Sequence, residues 1–306
     1  MMGLAFFNRE KEFKKPMHSF DYAAPASLGE AVTLLSGAQG NARVLAGGTD
    51  LIVNMRVGRR KPGLVVDGKR IPELNELALT ADGLTVGAAV PCRRIWEHAD
   101  VSRRYPALID SVSLIGSVHI QGRATIGGNL CNAAPSGDAI PTLIALGAVA
   151  RVLGPGGTRE VPVEAFCVAP GKTCLADDEL LVSVFIPAPQ ANSGAKYLRF
   201  IPRNEMDIAI AGVGASVVLD AAKQTFVSAR IALASVGPTP IFAAEAGALL
   251  AGKPVGEDAI QLAADDAQAA AKPITDMRGT VEQRKHLIKV LTARALRGAV
   301  ERAKGA

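Results

Sequence analysis

The sequence predicts an α+β protein of two domains. Its 306 residues exceed the usual size of one domain, and 49% of them are hydrophobic, which is enough for sizeable cores. Segment 187–194 is rich in proline and small residues and marks the boundary between the domains. Beyond it, alternating apolar runs at 208–219 and 226–236 precede three helical patterns. Strands followed by helices are typical of an α+β domain.

Before the boundary, short strands and helices are interleaved. Ser27 is a candidate N-cap, and Glu30 three residues later completes a capping box, so a helix is expected from Leu28 onward. Pro106 suits the first turn of another helix. The predicted strands lie at 20–22, 43–46, 64–67, 84–90, 148–153, 159–163 and 179–186. The further predicted helices lie at 51–56, 95–99, 105–112 and 138–146.

After the boundary, two antiparallel strands are expected around a turn at 220–224. In the last predicted helix, Leu287, Leu291 and Ala295 recur every four residues beside Val290 and form one apolar stripe, which is expected to face the core. The helices predicted in this half lie at 241–250, 257–271 and 281–302.

Residues 1–16 carry many charges and little apolar periodicity. We expect them to form an N-terminal extension ahead of the first domain, and they are a candidate for disorder. Met17 is an alternative start of translation, which the intact mass of the native protein would decide.

Composition excludes several classes of protein. The net charge is +5, but the basic residues are dispersed and aromatic residues make up only 4%, so we expect no nucleic-acid binding. No apolar run approaches the length of about 18 residues that a membrane span needs, and no secretory signal is evident at the N-terminus. A cytoplasmic location is therefore expected.

The four cysteines form no Cys-x-x-Cys pair, and no histidine stands at metal-ligand spacing from them. We therefore expect reduced, structural thiols, no metal site and no iron–sulfur cluster in this chain.

Two glycine-rich segments carry the strongest functional signal. They are Ala46-Gly47-Gly48-Thr49-Asp50-Leu51 and Thr125-Ile126-Gly127-Gly128-Asn129. Each is expected to form a turn after a strand, where paired glycines allow a positive φ and let a ligand approach the main chain. Successive amides in such a turn can bind an anion. Two such turns could hold the two phosphates of a dinucleotide, although each could also be a purely structural turn.

Two other glycine motifs do not match the nucleotide-binding patterns that they resemble. Gly171-Lys172-Thr173 is not a P-loop, because Phe166 stands where that motif needs its first glycine. Gly212-Val213-Gly214 is not a dinucleotide-binding fingerprint, because Val217 replaces the third glycine and no helix is predicted there.

The chain resembles the FAD-binding medium subunits of molybdenum hydroxylases, the group of carbon monoxide dehydrogenase and xanthine dehydrogenase. The resemblance covers residues 17–306. It rests on the segments 46–51, 87–90, 115–130, 134–138 and 203–209, which occur in the order and spacing of that group.

This resemblance implies a FAD-binding domain of the vanillyl-alcohol-oxidase type over residues 17–190, made of two α/β subdomains. A small α+β domain like that of CO dehydrogenase flavoproteins is implied over 195–306. FAD would lie extended between the two subdomains. The implied cofactor contacts are Leu45, Ala46, Gly47, Gly48, Thr49, Asp50, Leu51, Ala88, Ile115, Thr125, Gly127, Gly128, Asn129, Asn132, Asp138, Leu181 and Arg199.

Several of these implied roles have an alternative. Asp138 would accept hydrogen bonds from the flavin or the ribityl chain, or would cap the helix beside it. Ile115 would cover one face of the flavin ring, or would belong to the ordinary core. Either Leu180 or Leu181 would press on the opposite face.

Two arginines differ from the family pattern or have an alternative role. Arg199 stands where relatives commonly carry lysine, and a cation there could stabilise the reduced flavin or steer an acceptor. This departure leaves the identity of the acceptor open. Arg203 and Asp207 could form a structural ion pair instead of contacting the cofactor.

The implied function is electron transfer by an oxidoreductase subunit. A partner with the molybdenum cofactor would oxidise the substrate, and a second partner with two [2Fe–2S] clusters would pass electrons to the FAD of this chain. The acceptor would be NAD or a quinone, and the complex would be a dimer of heterotrimers. The alternatives are a self-sufficient FAD-dependent oxidoreductase of the same fold and a flavin-free assembly subunit.

Overall fold

The computed structural model describes residues 17–305, so the expectations for residues 1–16 lie outside the described residues. The described part contains sheets of three, five and four strands and a separate two-stranded hairpin. The three-stranded and five-stranded sheets belong to two subdomains that precede residue 190, and the four-stranded sheet follows it.

The first subdomain is a parallel sheet with two helices. Its strands lie in the order β1-β3-β2, and both pairings are parallel. The predicted cap is confirmed, since the Ser27 side chain accepts a hydrogen bond from the Glu30 amide. The Glu30 carboxylate in turn accepts from the Ala26 amide at 2.9 Å. The elements are β1 (Asp21–Ala23), α1 (Leu28–Gly37), β2 (Ala42–Leu45), α2 (Leu51–Arg56) and β3 (Leu64–Asp67).

The second subdomain is an antiparallel five-stranded sheet in the order β4-β5-β10-β6-β7, with β8 and β9 as the separate hairpin. In its centre, Val184 lies opposite Val86 on one side and Ala150 on the other. The strands are β4 (Leu77–Leu79), β5 (Gly83–Gly87), β6 (Val149–Gly154), β7 (Gly157–Pro162), β8 (Cys167–Ala169), β9 (Lys172–Thr173) and β10 (Leu180–Pro187). The helices are α3 (Cys92–Trp96), α4 (Ala99–Arg104), α5 (Pro106–Val112), α6 (Val118–Gln121), α7 (Ile126–Asn132) and α8 (Ala139–Ala145).

The C-terminal part is an antiparallel sheet in the order β11-β12-β13-β14, followed by helices. The predicted strand pair around residues 220–224 is confirmed. The strand β11 was not predicted, and the helix predicted at 241–250 is replaced by a short strand and a short helix. The elements are β11 (Ser193–Phe200), β12 (Ala211–Leu219), β13 (Phe226–Ala234), β14 (Ile241–Phe242), α9 (Ala244–Ala248), α10 (Glu257–Ala270) and α11 (Val281–Lys304).

The long helix α11 packs on β11 and β12. Its buried stripe is centred one position from the predicted one, because Ile288 is fully buried whereas Leu287 is only half-buried. Leu291 and Ala295 lie in the core as predicted.

The other side of this sheet packs against α8 of the second subdomain. Gly214 makes this contact possible, because a Cβ at that position would lie 2.5 Å from the Pro141 carbonyl oxygen. Gly212 and Gly214 therefore sit in a central strand and not in a nucleotide-binding loop, as the sequence indicated. Within residues 17–305, no helix has both the length and the apolar character to cross a membrane.

Candidate functional site

A cleft of about 620 Å³ is lined by residues of both subdomains. Three predicted contacts are absent from its described wall, and the others converge there from positions up to 135 residues apart (Ala46 to Leu181). The predicted contacts on the wall are Ala46, Gly47, Gly48, Thr49, Asp50, Leu51, Ala88, Ile115, Thr125, Gly127, Gly128, Asn129, Asn132 and Leu181.

The first glycine segment connects β2 to α2 along one side of the cleft. Gly48 has a φ of +79°, a conformation that favours glycine. Gly47 backs onto the second subdomain so closely that a Cβ would lie 2.0 Å from the Arg123 carbonyl oxygen. Within residues 17–305, the main-chain amides of Gly47, Gly48, Thr49 and Asp50 donate no hydrogen bond. Four consecutive donors are thus available to a ligand.

The second glycine segment opens α7 on the facing side of the cleft. This corrects the predicted turn after a strand, because the segment follows the short helix α6 and its glycines are themselves helical. Thr125 is the N-cap, and its Oγ1 accepts from the Gly128 amide at 2.8 Å. Gly127 packs against the second subdomain, since a Cβ there would lie 2.4 Å from the Ala88 carbonyl oxygen. Gly128 is less confined, because among residues 17–305, apart from the backbone of α7 itself, the nearest atom to a Cβ there is Thr125 Oγ1 at 3.0 Å.

Asn129 presents an amide group on the same wall. Its Oδ1 accepts from the Ala139 amide at 3.3 Å, which fixes the side chain against the start of α8. Within the described residues its Nδ2 has no hydrogen-bond acceptor, so it remains a donor for a ligand. Neutral donors of this kind suit a phosphate or a ribityl hydroxyl.

At another part of the cleft the wall becomes apolar. Ala88, Ile115, Leu180 and Leu181 all line it. Both leucines of the predicted pair reach the wall from the start of β10, and which of them would press on the flavin stays a prediction. Aliphatic groups of this kind can cover a flat ring without stacking on it.

Leu45 is not on the cleft wall. Its side chain is buried in a small cluster with Met55 and Val65 of the first subdomain. The side chain therefore supports the glycine segment from behind and does not face the cleft.

Asp138 and Arg199 are also absent from the wall, and they pair with each other. Arg199 Nη1 donates to Asp138 Oδ2 at 2.6 Å, and the Tyr197 hydroxyl donates to Asp138 Oδ1 at 2.7 Å. Asp138 makes no side-chain cap on α8, so the capping alternative is wrong. Burial raises the pKa of Asp138, against the opposing effects of Arg199 and Tyr197. Contact of Asp138 or Arg199 with the flavin stays a prediction.

The predicted ion pair between Arg203 and Asp207 is present, with 3.7 Å between Arg203 Nε and Asp207 Oδ2. A closer partner was not predicted, because Arg278 Nη1 lies 2.8 Å from Asp207 Oδ1. These residues thus join two loops of the C-terminal part.

Three basic residues on the cleft wall had no predicted role in the site: Arg43, Arg60 and Lys172. Lys172 belongs to Gly171-Lys172-Thr173, which is not a P-loop, because it forms the tip of the β8–β9 hairpin. Arg60 belongs to a short basic cluster of a kind that is typical of a solvated surface. No local sequence pattern indicated that Arg60 or Lys172 would line the cleft, because their position there depends on tertiary packing.

Three of the four cysteines are unsuited to thiolate chemistry with an external reagent. Burial raises the pKa of Cys92 and of Cys131 to about 12, and that of Cys167 to about 11. Among residues 17–305, no group of three or more His, Cys, Asp or Glu side chains is arranged to hold a metal ion.

These pKa values predict slow thiol labelling. At about pH 8 the Cys92 and Cys131 thiols should resist a thiolate-specific reagent in the native protein, because the thiolate is the reactive form. Both should react at once after unfolding in denaturant. Mass spectrometry of the labelled peptides would check this, and rapid native labelling of Cys131 would contradict it.

The residues of the cleft fit an extended dinucleotide. Unpartnered donors from two distant segments, the amides of residues 47–50 and Asn129 Nδ2, line the space where a diphosphate would lie, cations line the same cleft, and an apolar region is available for a flat ring. A Cβ at Gly48 or Gly127 would collide with existing atoms, so the main chain itself forms the cradle there.

Known families match nearly the whole described chain. Residues 18–189 match the FAD binding domain in molybdopterin dehydrogenase, and residues 196–299 match the CO dehydrogenase flavoprotein C-terminal domain. The predicted family, the fold class of a FAD-binding domain with a C-terminal α+β domain, and FAD as the cofactor are thereby confirmed.

Individual relatives agree with this. The chain is 33% identical to the xanthine dehydrogenase FAD-binding subunit of Escherichia coli O157:H7, over 94% of this chain and 99% of that protein. It is 32% identical to the carbon monoxide dehydrogenase medium chain of Hydrogenophaga pseudoflava, over 92% and 96%. A solved structure of carbon monoxide dehydrogenase from Hydrogenophaga pseudoflava superposes with a TM-score of 0.90 at 33% identity, over 94% and 99%. The chain therefore belongs to the FAD-binding subunits of the molybdenum hydroxylases, a family of oxidoreductases that includes xanthine dehydrogenase and carbon monoxide dehydrogenase.

Proposed function

We propose that this chain carries FAD as the electron-transfer subunit of a heteromeric molybdenum hydroxylase. Electrons would arrive from the [2Fe–2S] clusters of a partner subunit and leave to an external acceptor, NAD or a quinone. A large partner with the molybdenum cofactor would oxidise the substrate. The complex would be a dimer of heterotrimers in the cytoplasm.

The observation that carries this proposal is the cleft with unpartnered donors on both sides, namely the main-chain amides of the first glycine segment and the Asn129 Nδ2 of the second. The amides of Gly47, Gly48, Thr49 and Asp50 donate no hydrogen bond within the described residues. An amide without a partner is costly unless water or a ligand satisfies it. A diphosphate between the two glycine segments would do so, and main-chain donors hold it without a bulky side chain in the way.

The residues of this chain would bind and orient the cofactor. When bound, FAD accepts electrons singly and releases them in pairs, which lets it join one-electron clusters to a two-electron acceptor. The Thr125 cap holds the first turn of α7 in place, and Asn129 is fixed by its bond to Ala139. Ile115 and Leu181 would cover the ring and keep water from it.

The cleft offers little support for a self-sufficient oxidoreductase. Such an enzyme would need its own acid or base beside the ring. Of the residues that the structure describes, no histidine and no tyrosine lies on the cleft wall, and of its carboxylates Asp50, Asp177 and Glu179 the last is bound by Arg159. A chain that only binds and positions the cofactor, while a partner subunit oxidises the substrate, fits this wall better.

The test is electron flow in the purified native complex. We expect this chain to copurify with a molybdenum subunit and an iron–sulfur subunit. Reductant added in small amounts should reduce the clusters and then bleach the flavin, and NAD or a quinone should restore its colour. A FAD-bound chain that purifies alone and turns over a substrate would contradict the proposal.

A variant complex provides the control for this test. With Gly128→Val in this chain, the clusters should still be reduced but electrons should no longer reach the acceptor. A chain without bound yellow chromophore and without FAD binding in titration would point instead to an assembly subunit.

A further inference from the structure

We propose that Arg60 and Lys172 form a cationic clasp at the rim of the cleft that attracts and retains the diphosphate of FAD. This inference rests on the proposed site for FAD between the two glycine segments. It assigns a role to two side chains that neither the motifs of the sequence nor the family resemblance pointed to.

Arg60 and the main chain beside Lys172 come together at the rim, from opposite subdomains. Arg60 follows α2 of the first subdomain, and Lys172 lies at the tip of the β8–β9 hairpin of the second. Arg60 Nη2 reaches the carbonyl oxygen of Gly171, the residue next to Lys172, at 3.5 Å. Both residues line the cleft. The Arg60 side chain therefore bridges the two subdomains at this point of the rim.

Each cation is fastened to the element that carries one of the glycine segments. The Arg60 amide donates to the Asn54 carbonyl oxygen at 3.2 Å, and Asn54 lies in α2, which begins directly after Asp50. The Gly171 amide donates to the Ala133 carbonyl oxygen at 3.0 Å, and Ala133 ends α7. The clasp is thus attached to the same two elements that would bind the diphosphate.

The charges of the clasp lack a partner within the protein. Among residues 17–305, neither Arg60 nor Lys172 forms an ion pair with a carboxylate. Glu179 on the same wall is already bound by Arg159, whose Nε lies 2.7 Å from Glu179 Oε1. Asp50 and Asp177 also line the cleft, but in the described part of the chain neither forms an ion pair with these two cations, so an anion bound at the rim would be attracted by two uncompensated positive charges. The anion that this cleft would hold is the diphosphate.

The experiment compares FAD affinity of full-length variants at two salt concentrations. Arg60→Gln and Lys172→Gln should each weaken FAD binding by about 10-fold at low ionic strength, and the double variant by more. At about 1 M salt the difference from wild type should largely disappear, because the Debye length falls to about 3 Å. Titration of the apoprotein with FAD, followed by flavin fluorescence, measures both.

Arg59→Gln is the matched control. It removes the same charge from the neighbouring position, whose side chain is exposed and absent from the cleft wall. We expect its FAD affinity to stay within about 2-fold of wild type. Equal losses in Arg59→Gln and Arg60→Gln, or wild-type affinity in the double variant at low salt, would overturn the clasp. Failure of the wild-type apoprotein itself to bind FAD would instead refute the site on which the inference rests.

Discussion

Gly128→Val should leave the protein folded and remove most of its affinity for FAD. Within the described residues, and apart from the backbone of α7, a Cβ at Gly128 meets only Thr125 Oγ1, at 3.0 Å, so the protein can accommodate a side chain there at the cost of some strain in the cap. The added atoms would occupy the space between the glycine segments. Overpacking a close contact costs about 1–3 kcal/mol, and the same loss of binding free energy weakens FAD binding about 5- to 150-fold.

FAD titration and urea unfolding of the variant separate the two effects. Gly122→Val is the matched control, because Gly122 has a negative φ and, among residues 17–305 other than its chain neighbours, no atom lies within 4 Å of a Cβ there. It should bind FAD like wild type. Full FAD occupancy in Gly128→Val would count against the position of the diphosphate.

Asp138→Ala should strongly destabilise the protein. It leaves the Arg199 guanidinium, whose side chain is only 4% exposed, without its carboxylate partner, and the Tyr197 hydroxyl loses its acceptor. Breaking a buried ion pair by removing one partner costs about 3–5 kcal/mol in the free energy of unfolding. Because Asp138 lies in the FAD-binding part and its partners lie on β11, the loss should loosen the contact between the two parts of the chain.

Urea unfolding measures this loss against Asp100→Ala as a control. Asp100 pairs with Arg103 on an exposed helix, where both side chains are more than half exposed. An exposed pair contributes about 0–1 kcal/mol, so the control should be nearly neutral. Equal stability of the two variants would contradict the assignment of a buried structural role to Asp138.

The fold could be predicted wherever the local pattern and the tertiary environment agree. The capped helix α1, the helix α2 and the strand β3 follow from caps and apolar runs and lie where the sequence placed them. The strand β11 was missed because no apolar alternation marks it, since Tyr197 is the one buried residue among its eight. Its strand character depends on pairing with β12, which only the folded chain provides.

The second glycine segment was misjudged for a related reason. Consecutive glycines disfavour a helix, so a turn was the natural expectation. Thr125, however, was a visible N-cap residue three positions before Gly128, and the packing of Gly127 against Ala88 requires a residue without a Cβ. The capping signal was local and could have been used, whereas the packing against Ala88 could not be foreseen.

The candidate site divides in the same way. Its glycine segments could be predicted because the residues that would bind a phosphate are adjacent in the sequence. Arg60 and Lys172 could not, since the contact between Arg60 and Gly171 joins residues 111 positions apart. The pairing of Asp138 with Arg199 likewise spans 61 positions. Side chains that meet only through the packing of subdomains leave no local pattern.

A crystal structure of the chain with bound FAD would show whether the two glycine segments hold the diphosphate. We expect diphosphate oxygens within hydrogen-bond distance of the amides of Gly47, Gly48 or Thr49 on one side and of the first turn of α7 on the other. A diphosphate bound outside this cleft, or glycine amides that contact only solvent in the FAD-bound protein, would contradict this placement and the electron-transfer role that depends on it.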